Sequence, residues 1–244
     1  MTHTALAPVV TDRDIAHLPE AARRYLRFTG VLGRPRDTGF ELRARGWFRR
    51  KPTDRWAACR VEQRNTTEPV GRDYHLRLAL GHVLPVHATD TYDHGRGRLR
   101  ATALGAFTVA DAAGPEMDAA ELVTYLDDAV LFAPSTLLGL PVTWAAVDDR
   151  AFDLTLTDQD LRVTVRVTTD HRGAPREVTT EDRWADLPAG PTRTRWSTPV
   201  DGWILVAGRM RPRRACATWH LPDGPFTYAQ FEFADADITY HPID

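Results

Sequence analysis

The sequence predicts a mainly β protein: a large curved antiparallel sheet, a half-open β-barrel, wrapped around a central helical segment, with a further helix near the N-terminus. Three observations carry this expectation. Apolar and polar residues alternate strictly along much of the chain, beginning with Phe40, Leu42, Ala44 and Phe48 against Glu41, Arg43, Arg45 and Arg49. Short turns such as His94-Gly95-Arg96-Gly97 and Pro222-Asp223-Gly224 separate these stretches. The period lengthens to that of a helix in the middle, after Gly114-Pro115. A period of two gives a sheet with one buried and one wet face, and roughly a dozen sequential strands must curl or close rather than lie flat.

In chain order, residues 1–11 are expected to be disordered. Residues 12–29 form a helix with Ile15, Leu18, Ala22, Tyr25 and Leu26 on its apolar face, capped by Asp12 or Asp14 and closed by Gly30; Pro19 interrupts the register, so the helix proper is expected to start near Pro19 as a first-turn residue. A first group of strands spans 38–110 and includes Tyr74, Leu76, Leu78 and Leu80 opposite His75 and Arg77. The central helix and an apolar loop span 117–140, with Asp118 and Glu121 as a capping box and Pro134 as the stop. A second group of strands spans 141–241. No Pro- or Ser-rich linker divides the chain, so one domain over 1–244 is expected.

Composition narrows the function. The 244 residues are 43% hydrophobic with a net charge of −2, and Arg is interspersed with Asp and Glu. No basic stripe follows a phosphate backbone, so nucleic acid is excluded as a partner. No apolar run approaches the ~20 residues of a membrane span, and the first residues lack a signal peptide's charged and apolar regions. A cytoplasmic protein without membrane insertion is expected. Cys59 and Cys216 form no CxxC pattern and are expected as thiols. Lys51, the single lysine, lies in a polar turn unsuited to Schiff-base chemistry. His75, His82, His87 and His94 are spaced too irregularly for a zinc site, and GxSxG, Walker and dinucleotide fingerprints are absent. Neither metal nor cofactor is expected.

From Ala21-Ala-Arg-Arg-Tyr-Leu-Arg27 to Thr218-Trp-His-Leu-Pro-Asp-Gly224, the chain resembles the bacterial family DUF6544 (also DUF6920). Gly46-Trp-Phe48, Asp90-Thr-Tyr92 with Gly95-Arg-Gly97, Gly114-Pro-Glu116, Tyr125-Leu126 with Asp128, and Trp144 with Val147-Asp-Asp149 carry the match between them. The resemblance implies a fold but no reaction. Many family members carry membrane-spanning segments, unlike this chain. The family pattern has Arg before the Tyr-Leu of the central helix, Glu in place of Asp128, and Trp near Leu131. This chain has Thr124, Asp128, Leu131 and an extra Ala133, departures that point to a re-specialised central segment.

Two pairs are candidate catalytic residues. Asp90 and Tyr92 share strand parity with Leu84, Val86 and Ala88, which would turn a carboxylate and a phenol inward. Their structural alternative is that Asp90 ties down the following glycine turn. Tyr125 and Asp128 are neighbours on one edge of the central helix, while Asp127 is expected in solvent. The resulting expectation is a cofactor-independent enzyme of cyclase or isomerase type, acting on a hydrophobic small molecule in a β-lined pocket. The alternative is a non-catalytic carrier of a lipid or apolar metabolite, and a scaffold protein is a third reading. Either a monomer or a homodimer is compatible with the sequence.

Overall fold

The structure, a computed structural model, describes residues 8–80, 83–187 and 190–243. Helices α1 (Asp12–Ile15) and α2 (Glu20–Phe28) precede strands β1 (Asp37–Phe48), β2 (Ala57–Thr67), β3 (Val70–Leu80), β4 (Leu84–Asp93), β5 (Arg96–Ala103) and β6 (Phe107–Ala113). Helix α3 (Pro115–Phe132) and a 3-10 turn (Pro134–Leu138) lead into β7 (Val142–Asp148), β8 (Ala151–Asp158), β9 (Leu161–Thr169) and β10 (Pro175–Thr180). A small hairpin, β11 (Trp184–Leu187) and β12 (Gly190–Arg193), comes before β13 (Trp196–Val206), β14 (Arg209–Leu221) and β15 (Gly224–Pro242).

Thirteen of these strands form one antiparallel sheet in the order β6-β5-β4-β3-β2-β1-β15-β14-β13-β10-β9-β8-β7. Two meanders join where β1 pairs with β15, Phe40 opposite Tyr240 and Gly46 opposite Phe231. Their far ends, β6 and β7, are the sheet edges, and α3 is the connection between them. The chain must therefore cross the curled sheet, and α3 does so on the concave side, packing on β3, β4, β5, β9, β10 and β14. The inward rows follow the alternation: Ala57, Cys59, Val61, Gln63 and Asn65 of β2 are buried, and Ala58, Arg60, Glu62 and Arg64 are exposed.

Beyond its exposed first turn helix α3 is buried around its circumference: from Ala120 to Phe132 all but the half-buried Thr124 are buried, Leu122, Val123, Leu126 and Val130 completely so. That all-round burial marks a helix inside a core rather than on it. Helix α2 caps one flank: Tyr25 donates its hydroxyl hydrogen bond to the Val130 carbonyl (2.8 Å) and lays its ring 5.5 Å from Phe152.

Several expectations need correction. The 12–29 segment is broken at Pro19, where the interrupted register placed the start of the helix proper, and Pro19 is the cap of α2 rather than a first-turn residue. At α1 the capping residue is Thr11, whose N–H and hydroxyl both donate to Asp14 at 2.7 Å. The disorder expected for 1–11 falls outside the described residues for 1–7. Val10, by contrast, donates to Arg34 O (2.8 Å), and Val9 bridges Pro35. The capping box is absent: α3 starts at Pro115 behind Gly114, so Asp118 falls inside the first turn. There Asp118 accepts the Gly97 N–H at 2.7 Å and faces Arg96 at 3.1 Å, tying β5 to the helix.

Gly97 is the point of closest approach between strand and helix; a Cβ there would collide with the Met117 carbonyl. Gly97→Ala is therefore expected to lower unfolding free energy by about 2 kcal/mol in urea titration, with the m-value preserved.

Candidate functional site

Helix α3 divides the concave face in two. On the covered side, Arg72 of β3 and its cross-strand partner Tyr92 of β4 are buried. One inward step further, Tyr74 pairs with Asp90, then Leu76 with Ala88 and Leu78 with Val86. Here Tyr74, Asp90, Ala88 and Val86 are only half-buried, as are Phe48 and Phe231 across the sheet. These residues pack with Ala57, Cys59, Val61, Leu76 and Leu78 as a second apolar cluster, separate from the main core. Ala57, Cys59, Val61, Leu76 and Leu78 are themselves buried, so what stays partly open on this half is the surface of Tyr74, Asp90, Ala88, Val86, Phe48 and Phe231.

A charged cluster forms the boundary. Arg72, 5% exposed, donates to Asp128 (2.8 Å) and to Glu121 (2.9 Å), and its guanidinium sits 4.6 Å from the Tyr74 ring. Gln63 adds a 2.7 Å hydrogen bond to Asp128. Glu121 and Asp128 are seven residues apart, two helical turns, and so share the side of α3 that meets β3. Burial pushes the Glu121 carboxyl up to about 7, with the Asp90 charge adding to the rise and Arg72 opposing it. Burial also raises Asp90 and Asp128, in both cases against the pull of Arg72. The Oδ1 of Asp90 is sealed from solvent and has no hydrogen-bond partner among the described residues.

The segment between β10 and β13 leaves the sheet and brings the β11–β12 hairpin into contact with α3. At its root, the Arg183 guanidinium lies 4.5 Å from the Trp196 ring and 5.5 Å from Trp219. Trp219 in turn stacks on Tyr228 with centroids 6.4 Å apart, and the Trp196 indole donates to the Tyr228 hydroxyl (3.2 Å). An aromatic wall therefore runs from the charged cluster along β13, β14 and β15.

The structure places the sequence candidates as follows. Asp90 and Tyr92 both turn inward, on opposite sides of the boundary. Asp90 makes no bond to the glycine turn; the Gly97 N–H goes to Asp118 instead. Tyr92 donates to Asp158 at 2.7 Å. Tyr125 donates to the Thr66 carbonyl at 2.9 Å, and Asp128 is held by Arg72 and Gln63. The solvated Asp127 expected from sequence is incorrect: it is 4% exposed and accepts a 3.0 Å hydrogen bond from Thr198, because α3 has no solvent side there.

Sequence reasoning missed Arg72, Glu121 and Arg183. Arg72 carried a readable signal, since it occupies the inward register of Val70, Tyr74, Leu76 and Leu78. His75 and His87 lie on the convex face, rings stacked at 5.4 Å; His82 lies outside the described residues. No three potential ligands converge for a metal among the described residues. A second concavity of about 450 Å³ opens beside edge strand β7, lined by Val10, Leu18, Leu138, Leu140, Val142 and Trp144.

Fold and site together define an antiparallel half-barrel plugged by a buried helix, with a second, partly exposed apolar cluster beside the plug. The sequence profile of a family of unknown function, DUF6544, matches residues 8–231, and the chain belongs to that family. The solved structure of a LolA superfamily protein, NE2245 from Nitrosomonas europaea, is similar at 11% identity, covering 91% of this chain and 94% of that one with a TM-score of 0.44. No curated protein matches the chain. No helix among the described residues is long and apolar enough to cross a membrane.

Two outcomes follow from the cluster. Arg72→Met leaves Glu121 and Asp128 without their cation and is expected to cost about 3–5 kcal/mol of stability, read by chemical denaturation. Because the folded state holds the Glu121 proton more tightly than the unfolded chain, Glu121 erodes stability as pH rises from about 4.5 to about 7. Glu121→Gln removes this contribution, so its Tm relative to wild type should be more favourable at pH 8 than at pH 5.

Proposed function

We propose that the protein binds a hydrophobic small molecule on the uncovered half of its concave face and carries it unchanged. The observation that supports this most directly is the division of that face. Where α3 covers the sheet, inward side chains are fully buried; beyond it, Tyr74, Val86, Ala88, Phe48 and Phe231 keep part of their surface open. A concave, mostly apolar cleft with a few polar groups at one end is the usual form of a small-molecule site. The four catalytic candidates fit a carrier better than an enzyme. The hydroxyls of Tyr92 and Tyr125 are already donated, and Asp128 is held by Arg72.

A cofactor-independent cyclase or isomerase is the second reading, and one observation favours it. The Asp90 carboxyl is raised by burial, and one of its oxygens has no partner among the described residues, which suits a general acid. The reading also takes the protein as cytoplasmic, supported by two free cysteines, and as a monomer or homodimer.

Titration with the neutral fluorophore N-phenyl-1-naphthylamine tests the cleft. Ala88→Trp should weaken binding about tenfold or more with little change in Tm, whereas Ala58→Trp on the convex face should not. Equal affinity in both variants would remove the cleft from consideration. Native mass spectrometry of protein from its own host, followed by ligand extraction after long incubation, separates the two readings. An unchanged ligand is expected; a product that Asp90→Asn fails to form would establish the enzyme.

A further inference from the structure

We propose that the cleft selects an amphiphile with a cationic head group, a protonated amine or amidine, whose charge rests against Asp90 at the boundary with α3. This inference rests on the binding reading above and specifies its ligand.

Four carboxyl groups meet two guanidinium groups at the boundary. Asp90 from β4 and Glu121, Asp127 and Asp128 from α3 face Arg72 from β3 and Arg183 from the β10–β13 connection. Arg72 is committed to Glu121 and Asp128 by hydrogen bonds of 2.9 and 2.8 Å. Arg183 reaches its neighbours through the faces of Trp196 and Trp219. Among the described residues Asp127 keeps a single partner, Thr198, and its Oδ1 has none, although the residue is 4% exposed. The Oδ1 of Asp90 is also sealed and unpartnered among them. The Nε of Arg183 is likewise buried without a partner among the described residues, so two open acceptors face one open donor; buried acceptors without donors cost free energy, and the surplus is of acceptors.

Location strengthens the case. Asp90 is the inward residue next after Ala88 and Val86 along β4, so an apolar chain lying on Val86, Ala88, Leu76 and Leu78 would bring its head group to the carboxyl. The surrounding aromatics already receive cations on their faces: Arg72 lies over Tyr74, and Arg183 over Trp196 and Trp219. An anionic head would instead add to the carboxylate excess. Burial raises the Asp90 and Glu121 carboxyls without such a partner, and an ammonium would favour their charged forms.

The test is a head-group series on one tail. Dodecylammonium, dodecanol and dodecanoate, each below its micelle threshold at pH 7.5, compete with N-phenyl-1-naphthylamine for the full-length protein. A charge-assisted hydrogen bond in a covered site corresponds to roughly 10–100-fold in affinity. Dodecylammonium is expected to exceed dodecanol by that margin, with dodecanoate weakest. Asp90→Asn should collapse the ammonium-to-alcohol ratio toward one, while the convex-face change Asp73→Asn leaves it intact. Equal or tighter binding of dodecanol or dodecanoate by the wild type overturns the inference, as does a ratio that survives in folded Asp90→Asn. Binding of dodecanol without ammonium preference refutes only the head-group assignment. Failure of all three to compete refutes the binding reading itself.

Discussion

One guanidinium holds the architecture together. Arg72 stands in the inward row of β3, almost fully withdrawn from water, and clamps Glu121 and Asp128 on α3. Withdrawing these charges from water costs several kcal/mol per ion, offset only by close pairing and further hydrogen bonds. Gln63 supplies part of that compensation. Such an arrangement does little for net stability compared with a packed apolar core. It is specific about position: α3 could slide on a greasy sheet, but the clamp admits one placement along β3. A second buried pair, Asp37 with Arg209 at 2.7 Å, fixes β1 against β14 with help from Ser135 on the 3-10 turn.

The placement of α3 has a functional consequence. The helix fills only part of a thirteen-stranded concave face, and the clamp determines which part. Beyond it the inward side chains have no helix to pack against. Leu76, Leu78, Cys59 and Val61 pack beneath Tyr74, Val86, Ala88, Phe48 and Phe231, which keep part of their surface open, and Tyr74 joins this cluster to the charged one. The residues that lock the plug therefore also set the polar end of the cleft, and Asp90 belongs to both environments.

Much of this was legible beforehand. The alternation from Phe40 onward gave the sheet and its inward face correctly, and the change of period located α3, because both depend on local pattern. The inward orientation of Asp90 and Tyr92 followed from the same parity. What failed was the environment of charged residues on α3. Asp127 reads as solvated on an amphipathic helix, but α3 has no wet side, and only the crossover from β6 to β7 explains why. The apparent capping box at Asp118 failed for a related reason: the helix starts earlier, and that carboxylate is recruited by Gly97 across the interface. Pairings such as Arg72 with Glu121 span 49 residues, beyond any local pattern, although an arginine in an apolar register was a hint of them.

The central claim is that the uncovered concave face, not the groove beside β7, holds the ligand. Methyl-resolved NMR during addition of dodecanol tests it most directly. Shifts are expected to concentrate on Val61, Leu76, Leu78 and Val86, which pack together in the apolar cluster beyond α3. Shifts confined to Leu18, Leu138, Leu140 and Val142, which line the groove beside β7, would contradict it.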